Sequence, residues 1–220
     1  MRYRHYFLEA LILTMILFAF GFMIGLSIEN HRNSELIKYY TATEKEITTI
    51  TDQLDISNLG KYTCHELISR NSETGDEIYT QALIFEEYEN SAILTKSYLE
   101  KEHRKFDVLR TLFWINNIKI KERCGKNVIN TLVYLYDYNP ENDEDLAKQR
   151  VVSQITTEIK GALQDRVVLI PIAKNLNISS LDNILEKYNY DNESILLIVN
   201  EEKLFLFNEL DDGRKYFNDI

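Results

Sequence analysis

The chain has 220 residues with 25 basic and 35 acidic side chains, a formal net charge of −10. That acidity argues against nucleic acid as a partner and against docking on anionic lipid headgroups. Glycine (7) and proline (2) are scarce, which disfavours an all-β sandwich or a disordered linker and suits long helices joined by short turns.

The first element is apolar. Ala10 to Ile28 is an uncharged run of 19 residues, entered through Arg2 and Arg4 and left through Glu29. As a helix it rises roughly 28 Å at about 1.5 Å per residue, close to the hydrocarbon thickness of a bilayer. In lipid only a helix satisfies such a segment's backbone. Residues 1–6 read as a cytoplasmic N-terminus and 7–28 as a single transmembrane helix in contact with the lipid bilayer. No later segment is long and apolar enough for a second span. The alternative is a secretory signal peptide cleaved near Gly25 and Ser27, although signal h-regions run about 7 to 15 residues. Arg2 and Arg4 precede the run, whereas Glu29, His31, Arg32 and Glu35 follow it. That bias places the N-terminus inside and the C-terminal domain outside the cell membrane.

Residues 29–56 read as a helical stalk. Leu36, Tyr40, Thr43, Ile47, Ile50 and Leu54 alternate in spacings of four and three, the a/d pattern of a coiled coil. The stripe either packs on downstream helices of the same chain or forms a homodimer seam through Leu36, Ile47, Ile50 and Leu54. Asn58-Leu59-Gly60 supplies a stop.

Residues 57–125 read as a helical hairpin section. Ile78, Ala82, Phe85, Ala92 and Leu99 outline one apolar face, and Phe106, Leu109, Phe113 and Ile120 another. Thr74-Gly75-Asp76 is expected to open the first helix, with Cys64 in a short segment ahead of it. Cys64 and Cys124 are the only cysteines, and neither sits in a C-x-x-C pair. In an outward domain they suit a structural disulfide, with two unpaired thiols the alternative. His65 and His103 complete no recognisable zinc-ligand spacing, so no metal or other cofactor is expected.

Beyond Gly125 short apolar runs alternate with amphipathic stretches. Leu132–Tyr136 reads as a strand covered on both faces. Asp143–Leu163 reads as a helix with Val151, Ile155, Ile159 and Leu163 inward. Val167–Ile172 is a second strand, with Pro171 at its end or at a sheet edge. Ser179 or Ser180 caps a short helix that turns Leu181, Ile184, Leu185 and Tyr188 inward. Ile195–Val199 and Leu204–Phe207 form a hairpin across Asn200–Lys203, and Asp211-Asp212-Gly213 precedes a short final helix.

The order β-α-β-α-β-β-α, over residues 131–220, resembles the thioredoxin fold. The anchor and cysteine-flanked helices ahead of it resemble the layout of membrane-anchored, DsbA-like archaeal thioredoxin proteins. The fold class expected is therefore α/β, a thioredoxin-like mixed sheet preceded by a helical section, a helical stalk and one transmembrane helix. The resemblance implies an active-site C-x-x-C just after the first strand and a cis-proline immediately before the third. Here the first stretch, Asp137 to Leu146, contains no cysteine. Distance from the strand and from Gln149 puts the family's pair at Asp143 and Leu146, and the proline position falls at Ser194.

A thioredoxin nucleophile is a thiolate at a helix N-terminus with a second sulfur in reach, so the chemistry implied is lost. Asp137, Glu141, Asp143 and Asp145 either suit a divalent cation or compensate the helix dipole at a solvated start, without an EF-hand pattern. Asn177-Ile178-Ser179 and Asn192-Glu193-Ser194 fit the N-glycosylation pattern, and chance matches are expected in a chain this rich in Asn and Ser. No phosphate-loop, dinucleotide, serine-elbow or zincin motif is present. The expectation is an extracytoplasmic, redox-inactive module that binds or scaffolds an unidentified protein partner and is not an enzyme. The alternatives are a thiol-disulfide oxidoreductase using Cys64 or Cys124, and a self-associating structural envelope protein.

Overall fold

The apolar run lies inside one continuous helix, α1 (Arg2–Gln53), in a computed structural model that describes residues 2–54, 60–89, 95–188, 195–201 and 203–205. The stretch Tyr6–Ile28 is long and apolar enough to cross a membrane, and its side chains are exposed throughout. It is consistent with a signal-anchor or a signal sequence. The chain divides into two units, Met1–Thr48 and Thr49–Ile220. Ile50 and Leu54, the last members of the stalk stripe, are already buried within a single chain. They are therefore not open to a partner as the homodimer seam requires. The side chains of Leu36, Tyr40, Thr43 and Ile47 lie outside the described residues, as does Asn58-Leu59.

The helical section contains α2 (Cys64–Glu89) and α3 (Lys96–Cys124). Helix α2 starts at Cys64, ten residues before the expected opening at Thr74. Its start is a reciprocal cap: the Thr63 N–H and hydroxyl both donate to Glu66 Oε2 at 2.8 Å, and the Glu66 N–H donates back to Thr63 Oγ1. These bonds hold the exposed Glu66 carboxyl below its usual pKa. Gly75 does not break the helix. A Cβ there would meet Phe113 Cζ at 3.0 Å, so this glycine lets α2 lie close against α3. Asn71, Asn116 and Asn117 link the two helices through buried amide hydrogen bonds of 2.9 and 3.0 Å, which fix their register.

Four strands follow: β1 (Thr131–Tyr136), β2 (Val168–Ala173), β3 (Leu196–Val199) and β4 (Lys203–Phe205). They form a mixed sheet in the order β2-β1-β3-β4, with β1 parallel to β2 and antiparallel to β3, and β3 antiparallel to β4. Helix α4 (Asp143–Leu163) makes the crossover that the parallel pair requires. It is capped by Asn142, whose Oδ1 accepts from the Asp145 N–H at 2.7 Å. The α4 face that packs on Leu132, Tyr134 and Leu197 is Val152 and Ile159, with Ile155 and Leu163 beside them. Val151, expected inward, is 46% exposed. Only one of two adjacent valines can face the sheet, and Val152 has the correct spacing to Thr156 and Ile159.

On the opposite face of the sheet, reached by the alternate residues Val133, Leu135, Ile170, Ile172 and Ile198, all almost fully buried, α3 packs along β2 and against α5 (Ser179–Leu185). Residues 57–125 and 131–220 thus contribute to one unit. Ser179 is the first residue of α5, and Ile178 is the N-cap, without a side-chain cap bond. Leu181, Ile184 and Leu185 are buried as expected. Pro171 lies in β2, the edge strand. The N–H groups of Val168 and Lys174 donate to the carbonyls of Asn130 and Tyr136, so the alternation turns position 171 away from β1. The hairpin connection carries left-handed Asn200 and Glu201 (φ 52° and 59°). The expected last helix, after Asp211, lies outside the described residues.

Candidate functional site

Parallel β1 and β2 bring their carboxyl ends to one end of the sheet, where open α/β sheets hold ligands. The two loops leaving these strands are stitched together. Asn175 accepts from the Tyr138 N–H at 2.7 Å and donates to the Tyr138 carbonyl at 3.0 Å. Lys174 pairs with Asp137. The carboxamide of Gln149 on α4, oriented to satisfy both its groups, donates to the Asp137 carbonyl and accepts from its N–H at 3.1 and 3.0 Å. Arg104 on α3 donates to the carbonyls of Leu176 and Asn177 at 3.0 and 3.1 Å. Such bonding offsets the strain of left-handed Asn139 (φ 50°) in the loop after β1.

Beneath these loops α3 presents His103, Asp107 and Arg110 on one stripe. His103 Nε2 lies 2.8 Å from the Tyr136 hydroxyl and 3.4 Å from Asp107 Oδ2. Asp107, with none of its side chain exposed, pairs with Arg110 at 2.9 Å and accepts from the Ala173 N–H at 3.1 Å. Burial pushes the Asp107 carboxyl upward against the opposing pull of Arg110 and His103. Burial pulls the Arg110 guanidinium down, but Asp107 and Tyr136 more than compensate and hold it above its usual value. The Tyr138 ring packs on His103 with centroids 4.4 Å apart, and Phe85 and Tyr136 meet the same imidazole edge-on. Tyr134, whose hydroxyl donates to the Gln149 carbonyl, has its pKa raised first by burial and then by Asp137.

The positions matched to the family's cysteines fall in the first turn of α4: Asp143 begins the helix and Leu146 lies one turn on. Of the acids nearby, Asp137 pairs with Lys174, Asp145 with Asn142, and Glu144 with Lys148 at 2.7 Å. Among the described residues no group of three or more His, Cys, Asp or Glu is placed to hold a metal ion. Ser194 lies outside the described residues, although the pairing Leu135↔Leu196 brings the start of β3 beside the end of β1.

Cys64 and Cys124 form a disulfide that ties the start of α2 to the end of α3, with Cα atoms 5.6 Å apart. It belongs to the other end of the sheet. There Lys121 Nζ donates to Thr131 Oγ1, Asn200 Oδ1 and Glu201 Oε2 at 2.9, 3.1 and 2.8 Å. The Thr131 hydroxyl donates to Glu201 Oε1 at 2.6 Å. This second polar cluster locks the β3–β4 turn onto the start of β1.

His103, Asp107, Arg110 and Tyr136 carry no sequence motif that marks them as a group. The available signal was the spacing of four and three that places the first three on one stripe of an otherwise apolar helix. Chemically the arrangement offers a hydrogen-bonded imidazole–phenol pair over a buried ion pair. Among the described residues it offers no sulfur at this end. No family model, curated protein or solved structure matches this chain.

Proposed function

We propose that the protein is anchored in the cell membrane by residues 7–28 and presents outside it a thioredoxin-like domain that has lost redox chemistry and binds a protein partner. One observation carries this reading. The two cysteines are bonded to each other at the Cys124 end of α3, 21 residues from His103, or roughly 30 Å of helix at 1.5 Å per residue. The turn between β1 and α4 carries Asp143 and Leu146 where exchange chemistry needs two sulfurs. The parallel pair with its helical crossover, followed by an antiparallel β3–β4 hairpin, supports the fold assignment. Arg2 and Arg4 ahead of the exposed apolar stretch support anchoring with the C-terminal domain outside.

The test is enzymatic and structural. The purified protein should fail to reduce insulin or to oxidise a dithiol peptide above background. Asp143→Cys with Leu146→Cys should form a disulfide and gain measurable exchange activity, because the α4 dipole favours a thiolate there. Activity in the unmodified protein would refute the redox-inactive assignment. A double variant with two free, unreactive thiols would remove the thioredoxin reading itself. Protease added to intact cells should digest the part after Glu29; protection until lysis would overturn the orientation.

A further inference from the structure

We propose that Asn177 is an acceptor for an N-linked glycan, a reading that rests on the outward orientation proposed above. Asn177-Ile178-Ser179 fits the acceptor pattern, and the fold presents it in a particular way. Ile178 is extended (φ −99°, ψ 101°) and 2% exposed, whereas Asn177 and Ser179 on either side are exposed. The carboxamide and the hydroxyl that define the acceptor thus both reach the surface while Ile178 anchors the loop. Arg104 secures the backbone through the carbonyls of Leu176 and Asn177, leaving the Asn177 side chain out of the clamp. The left-handed φ of 54° at Asn177 is one that asparagine tolerates better than most residues.

The donor implied is a lipid-linked oligosaccharide phosphate, used by a membrane-bound transferase on the outer side. Asn177 Nδ2 attacks the anomeric carbon and forms the N-glycosidic bond. The bond from that carbon to the phosphate oxygen breaks, and the lipid phosphate leaves with the electron pair. The nitrogen gives up one proton to a transferase carboxylate or water. No oxidant or reductant is involved. The product places a bulky polar group in the loop after β2, next to the Asn175–Tyr138 stitch, and so flanks the end of the sheet at which thioredoxin chemistry would occur.

The experiment is peptide mass spectrometry on the full chain purified from the membranes of its own source. Trypsin releases residues 175–187 as one peptide with Asn177 as its only acceptor, and residues 188–203 separately with Asn192. The 175–187 peptide should carry a hexose-containing mass addition. Asn177→Gln and Ser179→Ala should each abolish it, while Ser179→Thr should retain it. Recovery of 175–187 wholly unmodified overturns the proposal. External protease digestion of the same cells separates the causes: a digestible domain with a bare peptide refutes Asn177 alone, and a protected domain refutes the orientation as well.

Discussion

Helix α3 passes both ends of the sheet and buries charge at each, yet the two ends are built differently. At the Cys124 end Lys121 is held by three side-chain oxygens from β1 and the β3–β4 turn, and a disulfide closes the same region. At the His103 end the charge is shared among Asp107, Arg110, His103 and the Tyr136 hydroxyl, under loops joined by hydrogen bonds and the Lys174–Asp137 ion pair. The first end is a covalent lock around a charge with a dedicated partner. The second is a buried ion pair beneath bonded loops, at the carboxyl ends of parallel β1 and β2, the end at which open α/β sheets hold ligands. One helix thus carries a covalently closed end and an end closed by hydrogen bonds and ion pairs alone.

The largest expected effect comes from Asp107→Ala, which leaves a buried guanidinium and the Ala173 N–H without their acceptor. Urea unfolding of the detergent-solubilised protein should show a loss of about 3 to 5 kcal/mol. A loss under about 1 kcal/mol would mean the ion pair does not organise that end. Replacing both cysteines by alanine opens a loop of 60 residues and should cost up to about 4 kcal/mol by loop entropy. Equal stability with and without reductant would contradict the role of the disulfide as a lock.

Lys121→Met should cost about 2 kcal/mol, since Glu201 retains some solvent contact and can rehydrate. A crystal structure of this variant should show the β3–β4 turn shifted. Tyr136→Phe removes the hydroxyl that bonds both His103 and Arg110 and should cost about 1 to 2 kcal/mol. A partner bound at this end would nevertheless lose affinity, which separates recognition from stability. The smallest effect is alkaline. Burial, then Glu201, pushes the Tyr188 phenol up to about 12, so the folded state disfavours the phenolate. Its contribution is complete below pH 10 and is lost as pH rises through about 12. Tyr188→Phe should flatten the stability profile in that window alone.

Much of the fold was legible because local signals agreed with tertiary demands. Asn142 and the acids behind it mark the start of α4 at Asp143, and the unbroken LVYLY run marks a strand covered on both faces. The errors lie where one local signal has two physical meanings. Gly75 reads as punctuation, but its lack of a Cβ serves the approach of Phe113. Ser179 reads as a cap, but α5 needs Ile178 at that position, buried. Val151 and Val152 are equivalent until the sheet selects one. The His103 site was harder to read: the stripe His103, Asp107, Arg110 is local to α3, but Tyr136 and the Ala173 N–H come from the distant ends of β1 and β2 and join it only through the fold.

The bonding of β2 carries a consequence for crowding. Three of its residues, Leu169, Pro171 and Ala173, direct their backbone nitrogens away from β1. Pro171 has no hydrogen to offer, and the Ala173 N–H is already given to Asp107. Of the three positions, Leu169 alone keeps a backbone donor with which another strand could begin a ladder. Were the domain held at a bilayer as proposed, copies would be concentrated in two dimensions, where exposed sheet edges invite strand-to-strand polymerisation. The buried carboxylate that organises the His103 end therefore also occupies a donor that edge-to-edge pairing would need.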